Sequence, residues 1–330
     1  MRGSSDRLGA ICYTPLHMPH LPTRPLGGSG LEVSVIGLGC NNFGRRLDLE
    51  GTRSVVDAAL EEGVTFFDTA DTYGRTQSED FLGQLLEGRR DEVVLATKFG
   101  MDLGDGRGPR GSRDYIRYAV EGSLRRLRTD HIDFYWYHRP DGVTPIAETL
   151  EGLDELVRNG TVRAIGASNF SAAQIEEADA VARERGLARF AAIQNEYSLL
   201  VRDVEADVLP ACDRLGLGFV PYYPLASGLL TGKYRRGQAA PEGTRLSDRE
   251  EIASDEKFDA VEALERYAGE RDVSMLEVAF GGLLAQPVVS SVIAGATKPD
   301  QVRANAAAAR WTPSEDDLAA LNSLRASTRG

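Results

Sequence analysis

Between Val35 and Ala309 one unit recurs eight times: a short apolar run of strand character, a turn, then a stretch of helical spacing. The runs are Val35–Cys40, Val64–Asp68, Glu92–Thr97, Ile132–Tyr137, Val162–Gly166, Phe190–Gln194, Gly218–Tyr222 and Val288–Ile293. Between and after them come Thr52–Glu62, Ser78–Leu86, Arg113–Arg128, Pro145–Arg158, Ser171–Arg185, Val204–Leu215, the pair Lys257–Arg271 and Ser274–Ala285, and Lys298–Ala309. The helical stretches carry their own start and stop signals. Pro145 opens one and Asn159-Gly160 closes it, while Ser171 with Gln174 makes a capping-box pattern. Strands joined by crossover helices run parallel, and parallel sheets are covered on both faces. Eight such units with no linker-like break predict a closed (β/α)8 barrel, an α/β fold of TIM-barrel type in a single domain. A doubly wound sheet is the alternative. It fails at the first turn, where Gly37-x-Gly39 meets Asn42 in place of the third glycine and no helix opens.

Around this core, Arg24–Ser34 reads as a β-hairpin about Gly-Gly-Ser-Gly, Leu225–Asp255 as a long loop after strand seven, and Leu318–Leu324 as a C-terminal helix. Residues 1–23 lack the apolar stretch of a secretory signal and are expected to be a disordered extension ahead of a barrel domain spanning 24–330, with Met18 an alternative start.

The formal net charge of −12 offers no basic stripe, which argues against nucleic-acid partners and anionic membrane surfaces. Any anionic cofactor therefore needs its own local Lys or Arg. Cys12, Cys40 and Cys212 form no C-x-x-C pair, as expected of a cytoplasmic protein without disulfides or structural zinc. No apolar run reaches membrane-spanning length.

In a barrel all strand C-termini face one mouth. Val64–Gly74 (V-T-F-F-D-T-A-D-T-Y-G) delivers Asp68 and Tyr73 there, the third run delivers Lys98, and the fourth delivers His138. Each alone has an ordinary explanation: a capping Asp, a packing Tyr, a surface Lys, a satisfied core His. Four at one rim are a stronger signal. His138-x-x-Asp141 has no evident third ligand, so a metal is not expected. An ammonium ~4 Å from a phenol at an effective dielectric of ~20 favours the phenolate by about 4 kcal/mol. That corresponds to roughly 3 pK units, enough to bring Tyr73 from ~10 toward neutrality. Asp68 holds Lys98 charged and aimed while reducing this gain; Tyr73 then serves as general acid and His138 orients a carbonyl oxygen. Such a site gives a proton but no electrons, so a reduction needs a hydride donor.

Together D-T-A-D-T-Y-G (Asp68–Gly74), A-T-K-F-G (Ala96–Gly100), H-R-P-D (His138–Asp141) and G-A-S-N-F (Gly166–Phe170) resemble the aldo-keto reductase family. The resemblance implies metal-free reduction of aldehydes or ketones by NADP(H), with Tyr73, Lys98, Asp68 and His138 as catalytic tetrad. It also implies that Ser168, Asn169 and Gln194 hold the nicotinamide carboxamide and that Tyr222 stacks on the ring. Leu225, Ser227, Gly228, Leu229 and Lys233 match the loop over the pyrophosphate. Gly295, Thr297, Lys298, Gln301 and Asn305 match the adenosine end, with Lys298 suited to a 2′-phosphate. Two positions depart from the family pattern: Tyr223 replaces a smaller residue, and Ala304 replaces an acid beside Asn305. A sugar or alcohol dehydrogenase working in the oxidative direction, or a cofactor-binding regulatory subunit like the related potassium-channel β subunits, are the alternatives. Substrate choice is expected to lie with Phe43, Phe99–Gly111, Trp136-Tyr137, Leu225–Asp255 and the C-terminal segment. Trp136 and Tyr137 should face opposite sides of their strand, and oligomeric state is left open.

Overall fold

The computed structural model describes residues 21–239 and 254–327, so the expectations for the first twenty residues and for 240–253 lie outside the described residues. A hairpin of β1 (Thr23–Pro25) and β2 (Glu32–Ser34) precedes the barrel strands. These are β3 (Ile36–Gly39), β4 (Phe66–Asp68), β5 (Val94–Phe99), β6 (Ile132–Tyr137), β7 (Val162–Ser168), β8 (Ala192–Gln194), β9 (Gly218–Phe219) and β10 (Val292–Gly295). They form one parallel sheet in the order β10-β3-β4-β5-β6-β7-β8-β9. The two edges meet. Phe219 N–H donates to Val288 O at 2.7 Å, Ser290 N–H to Phe219 O at 2.9 Å and Ile293 N–H to Pro221 O at 3.0 Å. The sheet is thus the (β/α)8 barrel that the alternation predicts.

Outside it stand α1 (Leu49–Glu61), α2 (Gln77–Leu85), α3 (Arg113–Leu127), α4 (Ile146–Arg158), α5 (Ala172–Arg185), α6 (Val208–Leu215), α7 (Asp255–Glu270), α8 (Met275–Leu284), α9 (Pro299–Ala308) and α10 (Glu315–Ser327). The Ser171–Gln174 capping box forms as read, and Gly186 ends the same helix in the left-handed region. Helices α1 to α6 pack in succession, and α9 packs on both α8 and α1. None of the described helices is long and apolar enough to cross a membrane.

Side-chain alternation with period two sorts the strand residues. Phe66, Ala96, Phe134, Trp136, Ala164, Ala192, Val220 and Ile293 fill the barrel interior with the hairpin residues Leu26, Leu31 and Val33. Phe67, Leu95, Tyr135, Tyr137, Ile165, Ile193 and Phe219 face the helices. Trp136 and Tyr137 therefore divide as expected. The hairpin closes the N-terminal end of the barrel, and its turn needs glycine. At Gly27 φ is +52°, and an added Cβ would lie 1.9 Å from Ala191 O.

Several boundaries move. Leu21 is buried in the helix-side core and Thr23 pairs with Ser34, so the packed chain begins upstream of Arg24. Val204 lies in a short turn of 3-10 type, with α6 beginning at Val208. The last barrel strand pairs with β3 over Val292–Gly295, because Val288 to Ser290 are taken by β9 at the seam. The C-terminal helix runs longer than its apolar core, opened by Glu315, Asp316 and Asp317, acids that suit a helix N-terminus.

Candidate active site

Counting by twos along each strand past its interior apolar residues brings polar side chains to the inner rim. Phe66 leads to Asp68, Ala96 to Lys98, Trp136 to His138, Ala192 to Gln194 and Val220 to Tyr222. The outward neighbour fixes β5 in this orientation. Thr97 donates to Glu79 Oε1 at 2.6 Å, and Arg126 Nε donates to Glu79 Oε2 at 2.7 Å. Tyr73 is set by the turn after β4. Gly74 follows at φ +59°, and a Cβ there would lie 2.4 Å from Phe43 O, so the two loops press backbone to backbone.

At the floor, Lys98 is fully buried and its Nζ donates to Asp68 Oδ2 at 2.5 Å and to Thr69 O at 2.8 Å. Gln194 Nε2 donates to the other Asp68 oxygen at 3.2 Å. The ammonium lies 5.1 Å from the Tyr73 ring centroid. Burial works against its charge, but Asp68 and Tyr73 outweigh that and hold it protonated above its ordinary range. Tyr73 and His138 meet edge to face at 6.1 Å.

One sequence expectation is corrected. Burial raises the Tyr73 phenol above its ordinary pKa, and the lowering by Lys98 falls short because Asp68 opposes it. The ammonium's full charge would reach the phenol only if its counter-ion were absent. The hydroxyl therefore keeps its proton across the neutral range. His138 is pushed down to about 3, first by burial, then by the charges of Lys98 and Arg139, and its buried Nδ1 has no partner among the described residues. It is a neutral imidazole able to donate one N–H. A pH consequence follows. The unfolded chain would hold His138 at its ordinary ~6.5 and bind a proton that the fold refuses. Stability is thus expected to fall as pH drops from about 6.5 toward 3, and His138 to show no titration between about pH 5 and 8. An imidazole signal assigned to His138 that titrates near pH ~6.5 by NMR would contradict this.

These groups open into a cavity of about 890 Å³. Its lining includes Asp68, Tyr73, His138, Ser168, Asn169, Gln194, Tyr222, Leu225, Ser227, Gly228, Lys233, Gly295, Thr297, Lys298, Gln301 and Asn305. Lys98 lies beneath the lining. Tyr222 OH donates to Asn169 Oδ1 at 2.7 Å, and Asn169 Nδ2 donates to His138 O at 3.0 Å, tying the ends of β6, β7 and β9 together. Burial, with Glu196 adding, pushes Tyr222 up to about 12, so it too stays a phenol. Gln301 Oε1 accepts from Thr297 N–H at 2.7 Å. Leu229 does not face the cleft; it is fully buried in a second apolar cluster with α7 and α8. Phe43, Phe99, Trp136 and Tyr137 are likewise buried in core and do not line the cavity.

Sequence reading passed over Arg46, Arg139, Glu196 and Leu276, which do line it; Met101, inside the Phe99–Gly111 stretch expected to bear on substrate choice, lines it as well. Glu196 continues the count from Ala192 and Gln194 and was open to it; Arg139 shares the parity of helix-facing Tyr137, and Leu276 lies on α8, so neither gave that signal. Among the described residues no group of three or more His, Cys, Asp or Glu is placed to hold a metal ion.

A model described as the aldo/keto reductase family matches residues 35–326. The chain is 37% identical over 317 residues to a protein of Bacillus subtilis named uncharacterized oxidoreductase YrpG, covering 91% of this chain and 94% of that protein. It is 36% identical over 315 residues to aldo-keto reductase YhdN of the same organism, covering 92% and 93%. A rice protein named probable voltage-gated potassium channel subunit beta is 37% identical over 294 residues, covering 85% and 88%.

Proposed function

The chain belongs to the aldo/keto reductase family of oxidoreductases, and on that premise we propose that it reduces aldehydes or ketones with NADPH, Tyr73 giving the proton. The observation that carries the reading is the fully buried Lys98–Asp68 pair beside Tyr73, at the floor of a cleft that also reaches Lys298.

The cleft residues fit a dinucleotide. The cavity lies at the upper end of the ~300–1,000 Å³ usual for small-molecule sites. Near Tyr73 its wall carries uncharged donors and acceptors, Ser168, Asn169 and Gln194, suited to a carboxamide. Gln194 reaches Asp68 through Nε2, which leaves its Oε1 for that group. Tyr222 supplies an aromatic face. Lys233 and Lys298 are the cations an anionic cofactor needs in a chain of net charge −12. Lys298 also stands at the N-terminus of α9, where the helix dipole favours anions.

The bound cofactor, when reduced, supplies hydride. Tyr73 donates its proton to the carbonyl oxygen, and Lys98 stabilises the phenolate left behind. Neutral His138 donates an N–H to the same oxygen and fixes its approach. Asp68 keeps Lys98 charged and aimed, and the carbonyl substrate occupies the end of the cleft nearest Tyr73 and His138. No metal, nucleic acid or membrane is needed for this chemistry. Cys40 and Cys212 are free and buried, which suits a reducing, cytoplasmic setting.

The test is NADPH and NADH oxidation against a panel of carbonyl compounds. Lys298→Ala is expected to raise the KM for NADPH roughly 10- to 100-fold, since a charge-assisted hydrogen bond is lost, and to leave that for NADH nearly unchanged. Equal effects on both would remove Lys298 from phosphate recognition. Ala304, exposed on the cleft wall near Asn305, leaves that preference to rest largely on Lys298. Alcohol oxidation by the same residues is the reverse reaction. A regulatory role, which the rice relative's name suggests, would show as cofactor binding without turnover.

A further inference from the structure

We propose that Arg139 is a specificity residue that selects carbonyl substrates carrying a carboxylate; this deepens the reductase reading above and rests on it. Arg139 follows His138 directly at the end of β6, and its exposed guanidinium lines the catalytic cleft. Among the described residues no hydrogen bond or ion pair engages its side chain. An arginine on an open surface needs none. This one stands in a concavity, where low-dielectric walls strengthen its field.

The other cations of the cleft are committed elsewhere. Lys98 is paired with Asp68, Lys233 lies 4.9 Å from the Tyr234 ring centroid, Lys298 stands at the cofactor's far end, and Arg46 has a partner. Glu196 lines the same cleft beside Tyr222 but forms no ion pair with Arg139. The charge of Arg139 bears on both the His138 imidazole and the Tyr222 phenol, which places it at the chemical end of the cleft and not over the pyrophosphate loop.

A guanidinium is a planar fork that matches a carboxylate with two parallel hydrogen bonds. One unit charge balances a carboxylate, whereas a phosphate dianion would need a second cation here. The chain's net charge of −12 repels an anion from the surface at large, so attraction has to be local. Tyr223 adds aromatic surface at the same mouth. It is 42% exposed in left-handed backbone (φ +54°), a conformation unfavourable for a tyrosine, and it packs edge-on to Tyr222 at 5.2 Å.

The experiment compares para-carboxybenzaldehyde with para-carbamoylbenzaldehyde, of similar size but uncharged, in wild type and Arg139→Gln with NADPH. Wild type is expected to prefer the carboxylate. Arg139→Gln is expected to lose roughly 10- to 100-fold in kcat/KM for it, mostly through KM, and no more than about threefold for the amide. Equal losses on both aldehydes, or no preference in wild type, would overturn the inference and leave the reductase reading standing. No oxidation of NADPH with any carbonyl would overturn the reading itself. Calorimetric binding of terephthalate to the NADP+-loaded protein reads Arg139 without turnover. Binding weakened at least about tenfold in Arg139→Gln supports the inference, and unchanged binding overturns it.

Discussion

Tyr73→Phe is expected to lose about 10²–10⁴-fold in kcat while still binding NADPH with nearly unchanged affinity. The substitution removes one oxygen and leaves the ring against His138 and Lys98. Hydride arrival at a carbonyl carbon places negative charge on its oxygen, and without a proton to neutralise it the reaction stalls. Water is a poor substitute, because it lacks the fixed position that Tyr73 holds on the cleft wall between Lys98 and His138. The raised pKa does not count against the role. A donor must hold its proton until the alkoxide forms, and Lys98 then favours the phenolate. Steady-state rates with a fluorescence titration of NADPH separate the two quantities. A variant that keeps more than about a tenth of wild-type kcat would assign proton donation to another group.

Lys98→Met is expected to remove activity and stability together. It leaves the Asp68 carboxylate buried, with Gln194 as its remaining side-chain partner. Breaking a buried pair from one side costs about 3–5 kcal/mol, a large part of a typical total of ~5–15 kcal/mol. The double variant Lys98→Met with Asp68→Asn removes the orphaned charge as well. It should recover much of the lost thermal stability and none of the turnover. Chemical denaturation of the two variants checks the first half, and assay of the folded double variant checks the second. A single variant as stable as wild type would mean that the pair is not held as described.

Much of this was legible in the sequence, for a specific physical reason. Period-two alternation carries the parity of Phe66, Ala96 and Trp136 two residues onward to Asp68, Lys98 and His138. A barrel needs no further information to bring those three to one rim. The capping box at Ser171 is local in the same way. What failed depends on tertiary balance. The sequence expectation sets Lys98 against Asp68 and brings the Tyr73 phenol near neutrality, but burial, which that balance leaves out, carries it above its ordinary range. The register of β10 is set by closure against β9, a contact between segments some seventy residues apart. Phe43, Trp136 and Leu229 read as cleft residues by proximity in sequence, yet each turns into core. Arg139 stood in plain view beside His138. Its lack of a partner is a property of its surroundings, which no spacing encodes.

Carbonyl reduction in this cleft depends on a proton from Tyr73 meeting a hydride delivered beside it. Single-turnover mixing of the wild-type protein and Tyr73→Phe, each loaded with NADPH deuterated at the transferring carbon, tests it with an aldehyde such as para-carbamoylbenzaldehyde. Deuterium in the alcohol from wild type, with transfer slowed by about 10²-fold or more in the variant, is the predicted result. Transfer at equal rates in both would contradict it.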